Sequence, residues 1–249
     1  MLKIFTFILL SASCALAAEV TVGPALRSYP LSGTIEFTAK DEFRIWDKRD
    51  EAKWKFGFVQ PKFLVGVHGA TEGAISFYPI SILELGAAYG VVSRFYKSQT
   101  LNCDDNVCGG PIYRQRYTAR LLAGVPMDSF DLVAIGSYNK IRSHHDDNSK
   151  PLVDEIEVLL AAPGGDTLEA RSLLLGVKRY DILYGLFSRQ AHYQESKDEN
   201  EAHYIVYRQK IDQLAIGGAV GVYHSTRSDA GLSILATATW SWGESIALF

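Results

Sequence analysis

The stretch Leu232-Ser233-Ile234-Leu235-Ala236-Thr237-Ala238-Thr239-Trp240-Ser241-Trp242 decides the fold class. Leu232, Ile234, Ala236, Ala238, Trp240 and Trp242 fall on one face of an extended chain, and Ser233, Leu235, Thr237, Thr239 and Ser241 on the other. Such period-two alternation is the mark of a β-strand with unlike faces. A soluble sandwich would bury the apolar face. The order along the stripe favours a different solvent, because aliphatic and small residues hold the middle while Trp gathers at one end. A lipid-facing band meeting an interfacial aromatic girdle has that order, with Trp240 and Trp242 as the girdle.

The same pattern recurs upstream. In Ile80 to Tyr96, the residues Leu83, Leu85, Ala87, Tyr89 and Val91 oppose Glu84, Gly86, Ala88, Gly90 and Arg94. In Tyr113 to Val125, the residues Tyr113, Tyr117, Ala119, Leu121, Ala123 and Val125 oppose Arg114, Arg116, Thr118 and Arg120. An arginine row facing lipid would be costly, so Arg114, Arg116 and Arg120, with Arg94 and Glu84 beside them, are expected to line a polar lumen. Leu214, Ile216, Val220 and Val222 oppose a face of mainly small residues. Phe130 to Arg142 and Leu168 to Lys178 are apolar on both faces and give no register.

Connections alternate in length, as expected for a barrel with short periplasmic turns and longer outer loops. Tight turns are expected at Gln60-Pro61, near Pro79, and at Met127-Asp128-Ser129, Arg179-Tyr180-Asp181 and Lys210-Ile211-Asp212. Longer loops fall at Asp47 to Ala52, Gly69 to Gly73, Ser98 to Pro111, His144 to Thr167, Glu195 to Glu201, and Thr226 to Ala230. This parse predicts an all-β, antiparallel transmembrane barrel of about 12 strands over residues 34–249, with about 10 as the alternative. Both chain ends then lie in the periplasm. Residues 19–33 are assigned to a periplasmic N-terminal segment.

The first 18 residues have the three parts of a secretory signal peptide: Lys3, the apolar run Ile4 to Leu10, and a small-residue stretch ending at Ala17-Ala18. The run is too short for a membrane anchor. A lipoprotein site at Cys14 is the other alternative, but Ser11 stands where such sites usually carry Leu. Removal of the leader leaves Cys103 and Cys108 on either side of a turn-prone segment, which reads as a disulfide in an exported chain. A zinc site is the weaker reading, since two thiols without a nearby His do not complete the coordination. Across all 249 residues the net charge is −3, with no preference for nucleic acid. Past the leader, no apolar run is long enough for a membrane helix.

The chain stops on Phe249 after an aromatic-rich strand, which resembles the C-terminal assembly signal of bacterial outer-membrane β-barrels. The resemblance covers only the last strand. It implies insertion into the outer membrane by the barrel assembly machinery, among outer-membrane lipids and lipopolysaccharide. Phe249 is out of phase with Trp240 and Trp242, and a bulge at Gly243 would restore the phase.

Function is less legible. An Arg-lined lumen fits a porin-like channel for small polar solutes, and a structural or adhesive envelope barrel without conductance is the alternative. A lipid hydrolase is a third reading, and His224-Ser225 and Ser228-Asp229 are its candidates. Adjacent residues of a strand point to opposite faces, however, and Thr226 stands where outer-membrane phospholipases carry their Ser. No catalytic residue, cofactor or metal is therefore assigned. His144-His145-Asp146-Asp147 reads as a solvated loop with a transient cation contact as the alternative. Within the loop His144 to Thr167, the run Val153 to Ala162 is too apolar for a solvated tip. It is expected to extend the wall, fold into the mouth, or bind a partner, and its alternation favours a wall extension.

Overall fold

The computed structural model describes residues 19–28, 31–66, 69–94, 105–107, 110–147, 149–154 and 159–243, and these contain strands and turns but no helix. The first strands are β1 (Glu19–Ser28), β2 (Leu31–Lys40), β3 (Phe43–Asp47), β4 (Phe56–Gly66), β5 (Ala70–Ile80) and β6 (Leu83–Arg94). They are followed by β7 (Gly110–Pro126), β8 (Asp131–His144) and the short pair β9 (Leu152–Asp154) and β10 (Leu159–Ala161). The last five are β11 (Gly165–Arg179), β12 (Ile182–Tyr193), β13 (Glu199–Ile211), β14 (Leu214–Ser225) and β15 (Ser228–Gly243).

One sheet of 13 strands runs β2-β1-β15-β14-β13-β12-β11-β8-β7-β6-β5-β4-β3, and β2 also pairs with β4. That extra pairing closes a 12-strand antiparallel barrel and leaves β3 outside the ring. The closing seam is Glu36↔Gly66 to Lys40↔Lys62. Over Glu36 to Lys40 this seam gives β2 a partner on both sides, so the ring closes and the backbone groups there are satisfied within the sheet, as a bilayer demands.

Side-chain period fixes the two faces. On β15, Leu232 and Ile234 are exposed outward, as are Trp240 and Trp242, while Ser233 on the other face is fully buried. On β7, Tyr117, Leu121 and Val125 are exposed and Ile112 is buried. On β11, exposed Leu173, Leu175 and Val177 alternate with an inner face that carries buried Leu168 and Ala170. An exterior this apolar would be unfavourable in water and is what lipid selects. Phe130 to Arg142 and Leu168 to Lys178 gave no register because β8 and β11 carry apolar residues inward as well.

The wall starts at Glu19, not at Thr34. Glu19–Ser28 pairs with β15 on one side and β2 on the other, so the segment assigned to the periplasm is a wall strand. Gln60-Pro61 is not a turn. Both lie within β4, opposite Ser76 and Ile75. Pro61 is tolerated because β2 and β3 together line β4 with a break at Asp41 and Glu42, where the missing N–H is not needed. The polar run Asp47 to Ala52 accordingly belongs to the end of the barrel that carries the termini, not to the opposite end. The expected count of about 12 strands holds, although the strands between Glu19 and Tyr78 differ from the expected ones.

The tight turn at Tyr180-Asp181 falls as expected, and the next falls at Asp212-Gln213, because Lys210 and Ile211, expected in the turn, still pair with β14; Tyr180 and Asp212 are in left-handed backbone at φ 53° and 51°. The leader 1–18, Cys103, Cys108 and Phe249 lie outside the described residues. Gly243, where the bulge was expected, has φ 100°, a conformation that favours glycine.

Candidate functional site: the barrel interior

The interior has three zones, beginning with a charged wall. Inward residues of β4 to β7 carry Lys62, Glu72, Glu84, Arg116 and Arg120. The antiparallel register sets Glu84 directly opposite Arg120 and Lys62 opposite Ala74. Lys62 Nζ lies 3.0 Å from Glu84 Oε1, and Ser76 Oγ donates to the same oxygen at 2.7 Å. Arg120 approaches the other oxygen at 3.8 Å. Arg116 donates to Glu72. Glu84 is buried, whereas the side chains of Arg116 and Arg120 remain 38% and 43% exposed inside the ring. The wall therefore holds its carboxylates behind a wet cationic front.

A polar ladder continues from that wall. Thr118 Oγ1 donates to Asn139 Oδ1 at 2.8 Å, and the Ser137 and Ser172 hydroxyls meet at 2.7 Å. Beyond it the inner face turns apolar, with Leu174, Leu183, Phe187, Val206 and Leu235. Charged wall and apolar wall enclose one cavity of about 600 Å³, which Arg208 also borders. Arg208 is exposed and has no ion-pair partner among the described residues.

The third zone fills the barrel toward the end opposite the termini. Here β9 and β10 form a two-stranded hairpin whose Leu152, Val153, Leu159 and Ala161 are almost completely buried. Leu152, Leu159 and Ala161 pack against inward Val92, Ile112, Leu168, Ala170, Ala191 and Tyr193. Burial of four such side chains contributes several kcal/mol, on the order of 1.5–3 each for the larger ones. Asp154 ties the hairpin to two wall strands: Arg114 Nη2 lies 3.2 Å away and Tyr193 Oη donates at 2.7 Å. The Leu160 amide donates to Asp198 Oδ2 at 2.7 Å, and Arg227 Nε holds Asp198 at 3.0 Å. Asp166 accepts from the amides of Ala162, Thr167, Glu195 and Ser196, fixing the hairpin root to the next loop. The described parts of the segment, Leu152–Asp154 and Leu159–Ala161, thus fold into the mouth, and the wall extension expected of it is overturned for them. The described apolar residues on either side of 155–158, Leu152, Val153, Leu159 and Ala161, are buried inside the barrel instead.

Beside the hairpin, Tyr204 and Tyr223 project inward from β13 and β14, each at most 7% exposed. The small inner face of β14, with Gly217, Ala219 and Gly221, makes the room. A Cβ at Gly221 would collide with the backbone carbonyl of His203.

No family model and no curated protein matches this chain. Among solved structures, an outer membrane channel from Pseudomonas putida F1 superposes with a TM-score of 0.55, over 91% of this chain and 96% of that one, at 8% identity. The fold is that of a bacterial outer-membrane β-barrel. A NanC porin structure aligns over 89% of this chain and 98% of its own, at 7% identity and a TM-score of 0.43.

Within this outer-membrane barrel fold, the expected lumen residues separate into three groups. Glu84, Arg116 and Arg120 border the cavity. Arg114 faces inward but is 14% exposed beneath the hairpin, held by Asp154, and does not line the cavity. Arg94 pairs with Gly110 at the end of β6, and its side chain lies outside the described part. Sequence reasoning missed Lys62, hidden by the supposed turn at Gln60-Pro61, and Arg208, on a strand whose faces had not been separated. Asp154, Asp166 and Asp198 were missed because loop acids ordinarily read as solvated. The hydrolase candidates are not brought together: His224 is exposed on the outer face while Ser225 is buried and shares a 2.9 Å hydrogen bond with Ser228. Among the described residues no group of His, Cys, Asp or Glu could hold a metal ion.

Proposed function

We infer that this protein is a narrow small-solute channel of the bacterial outer membrane, with both termini in the periplasm. The observation that carries the reading is the cavity inside a closed barrel, bordered by four cationic side chains, Lys62, Arg116, Arg120 and Arg208, and by the single carboxylate Glu84. Charges placed on an inner wall set the selectivity of an aqueous path. The excess of cations favours anions. The likeness to an outer membrane channel supports the same reading at the level of fold. Trp240 and Trp242, stacked with ring centroids 6.4 Å apart on the outer face near the termini, suit the periplasmic girdle.

A structural or adhesive barrel without conductance is the second reading, favoured by the buried hairpin that fills the opposite mouth. Conductance of the purified protein in planar bilayers separates the two. Discrete openings with a preference for chloride over potassium support the channel, and a silent bilayer supports the structural barrel.

A further inference from the structure

The cavity has two unlike sides. Lys62, Glu84, Arg116 and Arg120 form its charged wall, and Leu174, Leu183, Phe187, Val206 and Leu235 line the other side. A lumen that passes only water and inorganic ions gains nothing from apolar side chains turned into it, because each one kept in contact with water forgoes about 25 cal/mol per Å². Phe187, Val206 and Leu235 are nevertheless only partly buried, packed against Tyr204, Tyr223, Ala202 and Ala219 on one side and open to the cavity on the other. Arg208 stands two residues from Val206 on the same face of β13, opposite Leu183 on β12 and Gly217 on β14. A cation with no ion-pair partner among the described residues thus sits at the edge of an apolar surface.

We propose that the lumen binds small amphipathic organic anions, in which a carboxylate sits on an aromatic or short aliphatic body. The carboxylate is held by Arg208, within the field of the cations across the cavity, and the body lies against Leu183, Val206 and Phe187. The cavity of about 600 Å³ accommodates a ligand of that size. A polyhydroxylated anion of equal charge would leave its hydroxyls unpaired against the apolar wall, and a neutral aromatic would leave Arg208 unpaired. The inference rests on the channel reading, since the solute reaches the cavity through the barrel.

The test uses the folded full chain in detergent micelles, titrated calorimetrically with benzoate, gluconate and benzyl alcohol. Benzoate should bind about tenfold more tightly than either of the others. The Arg208→Gln variant should weaken benzoate about tenfold, and Val206→Thr, which keeps the side-chain shape, about threefold. Heat-modifiable gel migration verifies that each variant is folded. Equal binding of benzoate and gluconate, or benzoate affinity unchanged in folded Arg208→Gln, overturns the proposal. Conductance in potassium chloride without any organic anion keeps the two readings apart. A conducting protein that does not discriminate the three probes loses this inference alone, and a silent protein loses the channel reading whatever it binds.

Discussion

Lys62 and Glu84 meet at 3.0 Å across an intervening strand, so that β4, β5, β6 and β7 share one electrostatic unit through Ser76 and Arg120. The carboxylate is buried while both cations stay wet, which makes Glu84 the hub. Replacing it by Ala leaves Lys62 and Arg120 facing each other without a counter-charge. Because the cations remain hydrated the cost should be modest, about 1–2 kcal/mol. It should appear as a lower temperature or urea concentration at which the folded gel band is lost. Glu84→Gln, nearer in shape, should raise the preference for anions in a salt gradient.

Asp154 is the pin of the inner hairpin, through Arg114 and Tyr193. Asp154→Ala removes both contacts and takes away the carboxylate 3.2 Å from the mostly buried Arg114 guanidinium, a loss of roughly 3 kcal/mol on the scale of broken buried pairs. The hairpin should loosen while the wall keeps its pairing. Conductance should rise, and surface protease should cut the loop faster than in the wild type. An unchanged conductance with a cut hairpin would show that the hairpin does not narrow the path.

Gly221 allows β13 and β14 to approach where Tyr204 fills the lumen. Gly221→Ala should impair assembly, because the added methyl meets the His203 carbonyl and the neighbouring backbone, which cannot rotate away. Heat-modifiable migration reports it, as a reduced folded fraction. Gly73→Ala, on the outer face of β5 with nothing near its Cβ position, is the control and should assemble normally.

At the terminal end, beyond the ring, Arg49 grips Asp47 with its shortest contact at 2.7 Å. The guanidinium holds the Asp47 carboxyl below the usual carboxylate range, chiefly through these hydrogen bonds. A depressed folded pKa means that the contact stabilises fully above the unfolded aspartate value and is lost as pH falls through the folded one. Cleavage within Lys48 to Lys55 should therefore stay constant from neutral pH down to about 5 and rise only below the ordinary aspartate range. Asp47→Asn should abolish that dependence.

The alternation of β6, β7, β14 and β15 was legible because each has one strongly apolar face, and the membrane demands it of the exterior. The strands β4 and β5 were misparsed for a local reason: Pro61 reads as a turn unless the break between β2 and β3 is known, and that break lies in another segment. Arg114, Arg116 and Arg120 share the inner face of β7, but whether an inward arginine meets water or a buried carboxylate depends on a loop distant in sequence. Arg114 shows this, since its partner Asp154 arrives with the hairpin. The apolar alternation of Val153 to Ala162 fits a wall strand and an inner hairpin equally well, and only the tertiary packing distinguishes them.

The reversal potential of purified protein in a planar bilayer, under a potassium chloride gradient, tests the central claim most directly. The cationic lining predicts discrete conductance with a reversal potential of the sign for anion preference, and a shift toward cation preference when Arg116, Arg120 and Arg208 are neutralised together. A bilayer that stays silent, or a wild-type reversal potential of the opposite sign, would contradict it.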